Sequence, residues 1–565
     1  MSNQIDWTTL SEVEKIKYDS NYLRGTLKES LEDPVTGAIA PSDTQISKFH
    51  GIYQQHDRDV AKERKHQKLE PAFSFLIRVR LPGGIATASQ WLQMDRLADS
   101  HANGTIKLTT RQAFQLHGVI KRNLKPTIQG INEVLLDTIA ACGDVNRNVM
   151  SHANPSESPL HAQVYKLAGD LSRHLTPQTG AYHEIWLDKK LVSSSKEETE
   201  PIYGDRYLPR KFKIGIAIPP YNDVDVFSQD LGFIAIEEKG KLIGYNVAAG
   251  GGMGSTFGIP ETYPRLGDVI GFCKPNQVID VAEKIVLIQK EHGNRENRKR
   301  ARLKYTIDTN GIDWFRKELN NALGSPLEEA KPYKFTRNGD RYGWKQGTNG
   351  KWSLNLFVEG GRIKDSEQVA LKTALRELAR EVNDAQFILT GNQNLIIANT
   401  TEKEKVAQIL KKYKVWPTPL SGLRQNSIAC VALNTCGLAF AEAERYLPDL
   451  ITKIEDILNK YNLIKEEIVI RMTGCPNGCG RPYLAEIGLI GKSPGHYNLY
   501  LGGSNTGNRL NTLYRETLTE TDILTELEPI IEDFSKNRVK QESFGDFVIR
   551  QKYVTETNQG KDFRH

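Results

Sequence analysis

Four cysteines within about fifty residues have the type and spacing to do chemistry: Cys430 and Cys436 in ACVALNTCG, and Cys475 and Cys479 in TGCPNGCGR. Only Cys142 and Cys273 lie elsewhere, and both are expected to be small buried apolar residues. Thiolates gathered in this way make a metal or iron–sulfur site. The pattern runs C-x5-C, then 38 residues, then C-x3-C. Structural zinc prefers tighter knuckles. A four-iron cluster puts each thiolate on a different iron and accommodates wider spacings, so it fits better, with zinc as the alternative. A helix is predicted to begin directly after Cys436, through GLAFAEAERYLPDLITKIEDILNKY, with its positive end at the cluster. Pro476, Asn477 and Gly478 predict a turn that offers N–H groups to sulfur.

A second set of residues is cationic. In strand-like LIRVRL, Arg78 and Arg80 alternate with Ile77, Val79 and Leu81; in TIKLTTRQ, Lys107 and Arg111 share a face; in LPRKFKIGI, Lys211 and Lys213 do. Arg147 in DVNRNV adds a seventh cation. Taken singly, each strand reads as a solvated face. Together with a thiolate cluster they predict a cationic cavity that neutralises an anionic substrate and a polyanionic cofactor. His50 and His117 read as structural, and the glycine run Gly250–Gly252 as a place of close backbone approach. No zinc-protease, nucleophile-elbow or P-loop pattern occurs.

The elements that must position these groups come in two similar sets. RVRLPGG, a helix (SQWLQMDRLADSH) and GTIKLTTRQAFQLHGV are echoed by LNLFVEGG, a helix and QFILTGNQNLIIAN. ACGDVNRNVMSHANP is matched in order with ACVALNTCGLAFAEA, and KFKIGIAIPP…GFIAI…GYNVAAGGG with EIVIRMTGCP…AEIGLIG…YNLYLGG. The expectation is an internal duplication of about 270 residues with a ligand between the halves. Helices are predicted at Leu10–Lys28 and Gln54–Gln67, a solvated loop at Lys190–Asp205, and a turn-rich connector over 331–352.

The 565 residues suffice for roughly two to four domains. Hydrophobic content of 39% and charged content of 25% are those of a globular protein, and no run reaches the roughly 18 apolar residues of a membrane span. Six cysteines are too few for a disulfide scaffold, and the N-terminus has neither a secretory nor a transit pattern, so a cytoplasmic protein is expected. A formal charge of +6 without RNA-recognition motifs disfavours a nucleic-acid partner.

Nearly end to end, the chain resembles the siroheme-containing sulfite and nitrite reductases. The motifs are NYLRGTL, FHGIYQQHDRD, QKLEP, RLPGG, TRQAFQLHG, VNRNV, YLPRKFK, GNQNLIIA, AEAERYLP, TGCPNGCGRPYLAEIGL, YNLYLGG and FGDF. The arm motifs favour the sulfite reductases fed by an NADPH-oxidising flavoprotein. The resemblance implies an α+β fold of duplicated ferredoxin-like and siroheme-binding α/β modules with pseudo-two-fold symmetry. Its parts would be an N-terminal docking arm (1–70), paired ferredoxin-like halves (71–137 and 341–420), a substrate and siroheme domain (138–340) and an iron–sulfur and siroheme domain (421–565). It also implies that Cys430, Cys436, Cys475 and Cys479 hold a 4Fe-4S cluster, with Cys479 shared with the siroheme. Arg78, Arg147, Lys211 and Lys213 would surround sulfite. Arg111, Lys107, Arg80, Gln115, His117 and Asn146 would contact the macrocycle. Lys107 stands where the family usually has Arg, which retains charge but not a bidentate fork. Gly437 follows Cys436 where the family often has Pro. The implied activity is the six-electron reduction of sulfite to sulfide within a hetero-oligomer, with no membrane. Nitrite reduction, or a ferredoxin donor, is the alternative.

Overall fold

In the computed structural model, which describes residues 5–188, 198, 200–415 and 419–564, the chain builds four five-stranded sheets in two matched pairs. The first sheet runs Ile52–His56, Phe73–Val79, Phe114–Val119, Ile106–Leu108 and Arg362–Ile363 in spatial order. The third runs Gly343–Gln346, Trp352–Leu356, Leu395–Thr400, Gln386–Leu389 and Ile85–Thr87. Each sheet is therefore closed by a strand from the other half: Arg362 pairs with Lys107, and Thr87 with Gln386. Paired edges remove the exposed strand rows that invite aggregation.

The second and fourth sheets share one topology. Met150–Ser151, Ile214–Ala217 and Leu231–Glu238 are parallel, followed by antiparallel Lys241–Ala249 and Asp268–Cys273. Ser427–Ala429, Ile470–Thr473 and Ile487–Ser493 repeat the parallel trio, and His496–Leu501 and Thr512–Leu518 the antiparallel pair.

The duplication extends to single residues. Gln112 and Gln393 both have positive φ (51° and 69°). Each side chain makes a two-way amide bond with the first strand of the following sheet: Gln112 with Ser151 (2.9 and 3.0 Å), and Gln393 with Ala429 (2.9 and 3.2 Å). Gly84 and Gly361, at φ 81° and 69°, lie against the opposite half. A Cβ there would sit 2.4 Å from the Leu389 carbonyl oxygen and 2.5 Å from that of Leu108. Only glycine fits such a contact.

Between the halves, helix Ala88–His101 packs on helix Leu371–Glu381, with buried Trp91 stacked on Phe387 at 4.7 Å. Thr87 opens the first of these helices with a capping box closed by Gln90.

Several local expectations are corrected. Leu10–Lys28 divides into Glu12–Asp19 and a separate helix, Leu27–Glu32. Gln54–Gln67 begins as a strand, because Ile52 and Gln54 pair with Ile77 and Phe75, and becomes helical only over Ala61–His66. Part of the 331–352 connector is the edge strand Gly343–Gln346. The matched glutamines set Ser151 against Ala429, so ACGDV lies upstream of the ACVAL position instead of aligning with it. Most of the predicted loop Lys190–Asp205 lies outside the described residues.

Candidate active site

The cluster loops come from the fourth sheet. Cys430 follows strand Ser427–Ala429, and Cys475 follows Ile470–Thr473, so parallel neighbouring strands deliver both thiols to one sheet end. Gly474 N–H donates to Cys430 Sγ at 3.4 Å and Asn477 Nδ2 to Cys475 Sγ at 3.6 Å, the donors expected around thiolate sulfur. The predicted helix after Cys436 is corrected: it starts at Leu447, with Pro448 in its first turn. Residues 437–446 instead form a loop pinned by Phe440 N–H on Gly474 O (2.7 Å) and Glu444 N–H on Cys430 O (3.0 Å).

All six cysteines are free thiols. The four of the motif lie within electrostatic reach of one another, and burial together with the neighbouring Cys479 pushes Cys475 up to about 12. Such a set ionises only when a positive centre compensates it. A single zinc ion would hold its sulfurs about 3.8 Å apart. Among the described residues, the group of three ligating side chains whose ligand atoms lie within 4.8 Å of one another is His152, Glu157 and His161, and no three of the motif cysteines form such a group. The His152 group is filled by protein: His152 Nδ1 lies 2.5 Å from Asp223, and Arg341 (2.8 Å) and Lys345 both lie on Glu157.

Next to the cysteine loops lie the predicted cations. Gly478 packs so closely on the glycine-run loop that a Cβ would come within 2.8 Å of Met253 O, and Ser255 N–H donates to Pro476 O at 2.9 Å. Within the glycine run, a Cβ on Gly251 would fall 2.1 Å from Phe227 O, the close backbone approach the run predicts. Thr110 Oγ1 donates to Cys479 O at 3.1 Å, which joins the first half to the cluster loop. Lys211 and Lys213 flank Phe212, just before strand Ile214–Ala217, and both feel the charge of Cys479. Neither lysine side chain has a hydrogen-bond or ion-pair partner among the described residues. Burial, then Arg210 and Arg147, push Lys211 down to about 7; burial, then Lys211 and Arg111, lower Lys213 well below its ordinary value.

Arg147 Nε donates to Gly143 O at 2.8 Å. Arg78 reaches Cys142 Sγ at 3.2 Å and lies over the Tyr53 ring, so buried Cys142 is also a hydrogen-bond acceptor. With its amide turned to suit both neighbours, Gln115 accepts from Arg78 Nε (2.8 Å) and donates to His117 Nε2 (3.2 Å). Arg111 donates to Gln229 (2.8 Å) and to the Asn148 carbonyl (2.5 Å); burial and Arg147 push it down to about 9.

Three predicted contact residues leave buried polar atoms without partners: Arg111 Nε, His117 Nδ1 and Asn146 Oδ1. Unpaired cations and orphaned polar atoms around one space fit a many-carboxylate ligand. The residues present therefore suit a siroheme beside a cluster. Two other predicted contacts are engaged elsewhere. Arg80 forms a bidentate pair with Asp137 (2.9 and 2.6 Å), and Lys107 binds Glu444 (2.7 Å). Lys107 and Arg362 together hold Glu444, whose N–H supports Cys430, so they brace the cluster loop.

The sequence reading missed Lys48, Tyr53, Arg210, Arg302 and Arg481. Lys48 is pushed down to about 8 by burial and then by Arg298. Arg302 is paired with buried Asp230 (3.0 and 2.7 Å). Arg481 bridges the halves, bonding Asp225 (2.5 Å), Thr110 O (2.9 Å) and Gly391 O (2.7 Å). Arg210 and Arg481 lie inside the quoted runs YLPRKFK and GCGR, which carried the available signal. Tyr53 lies inside the quoted arm motif FHGIYQQHDRD and Lys48 one residue before it, but nothing in that motif singles out either residue.

Comparison with known proteins agrees with this geometry. A family model described as the nitrite and sulphite reductase 4Fe-4S domain matches residues 168–327, and the nitrite/sulfite reductase ferredoxin-like half domain matches twice, at 66–134 and 345–414. The chain belongs to the nitrite and sulphite reductase family. Within it, the chain is similar to proteins named sulfite reductase [NADPH] hemoprotein beta-component. That of Anoxybacillus flavithermus is 60% identical over 98% of this chain and 97% of its own length. That of Oceanobacillus iheyensis is 59% identical over 98% and 96%, and that of Staphylococcus epidermidis 56% over 100% and 98%. The solved structure of Mycobacterium tuberculosis NirA shares the fold, with a TM-score of 0.78 at 23% identity over 96% of this chain and 97% of that one.

Proposed function

We propose that this chain is the hemoprotein component of an assimilatory sulfite reductase, receiving electrons from a separate NADPH-oxidising flavoprotein in a cytoplasmic hetero-oligomer. Among the described residues, no helix is long and apolar enough to cross a membrane. The observation that carries the reading is the pair Lys211 and Lys213, buried within reach of the Cys479 charge, with Arg147 near Lys211, Arg78 near Arg111, and no ion-pair partner for these four side chains among the described residues.

Cys430, Cys436, Cys475 and Cys479 would hold the 4Fe-4S cluster, and Arg111, Gln115, His117 and Asn146 the macrocycle. When bound, these two groups supply the electrons and a Lewis-acidic metal. The protein supplies charge and protons. Bisulfite takes up six electrons and six protons to give hydrosulfide and three waters, so each departing oxygen needs proton donors. Arg78 and Arg147 orient the oxyanion through their guanidinium N–H groups. Lys211, near 7, can give up a proton at neutral pH and regain it from solvent. Burial of the cavity strengthens each of these interactions.

The test is sulfide release by the purified holoenzyme with reduced methyl viologen. Sulfite should give sulfide and turn over faster than nitrite. Faster nitrite turnover, or no sulfide, would contradict the assignment.

A further inference from the structure

One surface at the cluster is built for a partner. Leu438 and Phe440, two and four residues past Cys436, are 66% and 46% exposed, large apolar side chains in solvent beside a cluster ligand. Half-buried Phe257 lies 6.1 Å from Phe440, and Lys492 caps its ring at 4.6 Å. This apolar centre adjoins a cationic rim. Arg58 donates to the carbonyls of Cys436 (3.2 Å) and Ala439 (2.7 Å), and its own N–H bonds Asn434 O (3.1 Å). Three residues on begins the helix Ala61–His66, which buries no side chain. Over 58–68 the chain carries five cations against two carboxylates. Lys62, Lys65 and Lys68 are exposed, and their side chains have no ion-pair or hydrogen-bond partner among the described residues. The nearby acids Asp57, Asp59 and Glu442 are already engaged, by Asn434 and Arg445.

We propose that Leu438, Phe440 and the segment carrying Lys62, Lys65 and Lys68 form the docking surface for an acidic, flavin-bearing electron-carrier domain, so that electrons enter the cluster at its Cys436 corner. The inference rests on the reading above, in which the donor is a separate flavoprotein. A bare apolar helix or loop would be an aggregation liability; an apolar centre beside unpaired like charges gives instead a steered, short-lived encounter with a complementary partner. The cationic rim selects an acidic protein, and the contact beside Cys436 gives the short path that electron transfer requires.

The test uses holoenzyme with its flavoprotein component and NADPH, and in parallel with reduced methyl viologen, which needs no docking. In the variant Lys62→Glu/Lys65→Glu/Lys68→Glu, flavoprotein-driven turnover should fall at least about tenfold and lose most of its salt dependence, with viologen-driven turnover unchanged. Leu438→Gln with Phe440→Gln should raise the KM for the flavoprotein at an unchanged cofactor spectrum. Wild-type flavoprotein turnover in the charge-reversed variant, or equal losses with both donors, would overturn the surface. Cluster reduction by reduced flavoprotein, followed without sulfite, reads docking alone. A failure to make sulfide therefore counts against the reaction and not against this surface.

Discussion

Lys211 and Lys213 stand where burial and repulsion from neighbouring cations coincide, with no ion-pair partner for either side chain among the described residues. Under the proposed function, a bound anion would offset that cost. Lys211→Ala should cut viologen-driven turnover by about 10²–10⁴-fold while both cofactors stay bound, as judged from the optical spectrum. The protonated lysine is the donor, so with its position near 7 in the free protein, kcat/KM should fall as pH rises through about 7. A pH profile unchanged by Lys211→Ala would remove it from proton delivery. The cysteine pattern and the lysine pair could be singled out in the sequence because spacing alone exposes them. The roles of Arg80 and Lys107 could not. Alternation along a strand places a side chain on a face, but Asp137 and Glu444, far away in sequence, decide what that face meets.

At the scale of elements, buried charge pairs lock loops to sheets. Asp225 sits between Arg471 (2.6 Å) and Arg481 (2.5 Å). Burial alone would raise its carboxyl, but the two arginines overcome this and hold it below its ordinary value. Its stabilisation is therefore present above about pH 4 and lost as pH falls through the depressed value. Asp225→Ala would leave two buried guanidinium groups uncompensated and should cost roughly 3–5 kcal/mol in denaturant unfolding. His152 has the opposite sign. Burial disfavours its charge, but Asp223 and then Glu157 raise it to about 9. Its contribution is full below about pH 6.5 and fades as pH rises through about 9. Thermal unfolding of His152→Gln should thus lose the wild type's alkaline decline between those values; an unaltered decline would assign it to other groups. Such pairs were invisible in the sequence, because Arg471 and Arg481, and Asp223 and Glu157, stand far from or unmarked beside the residues they hold. The helix expected at Gly437 failed for a related reason: apolar periodicity continued through 437–446, but backbone bonds to Gly474 and Cys430 hold that stretch as a loop.

Across the whole molecule, the exchanged edge strands make each ferredoxin-like half incomplete without the other. The duplication was readable because Gly–Gly and Gln landmarks recur at similar spacing; the glycines prove to touch across the halves, and each glutamine ties its half to the sheet that follows. The strand exchange itself left no trace in composition or period. Because the halves share one core through Trp91 and Phe387, Trp91→Ala should lower stability by about 3–5 kcal/mol and weaken cofactor retention together, measured as unfolding midpoint and iron content. Separate unfolding of two halves would contradict the shared core. The central claim is that four sulfurs and a ring of unpaired cations hold a 4Fe-4S cluster against a siroheme. Quantitative iron and acid-labile sulfide analysis of the purified holoenzyme tests it most directly. About five irons and about four sulfides per chain are predicted; zinc in their place, or four irons without a chlorin-type absorption band, would contradict it.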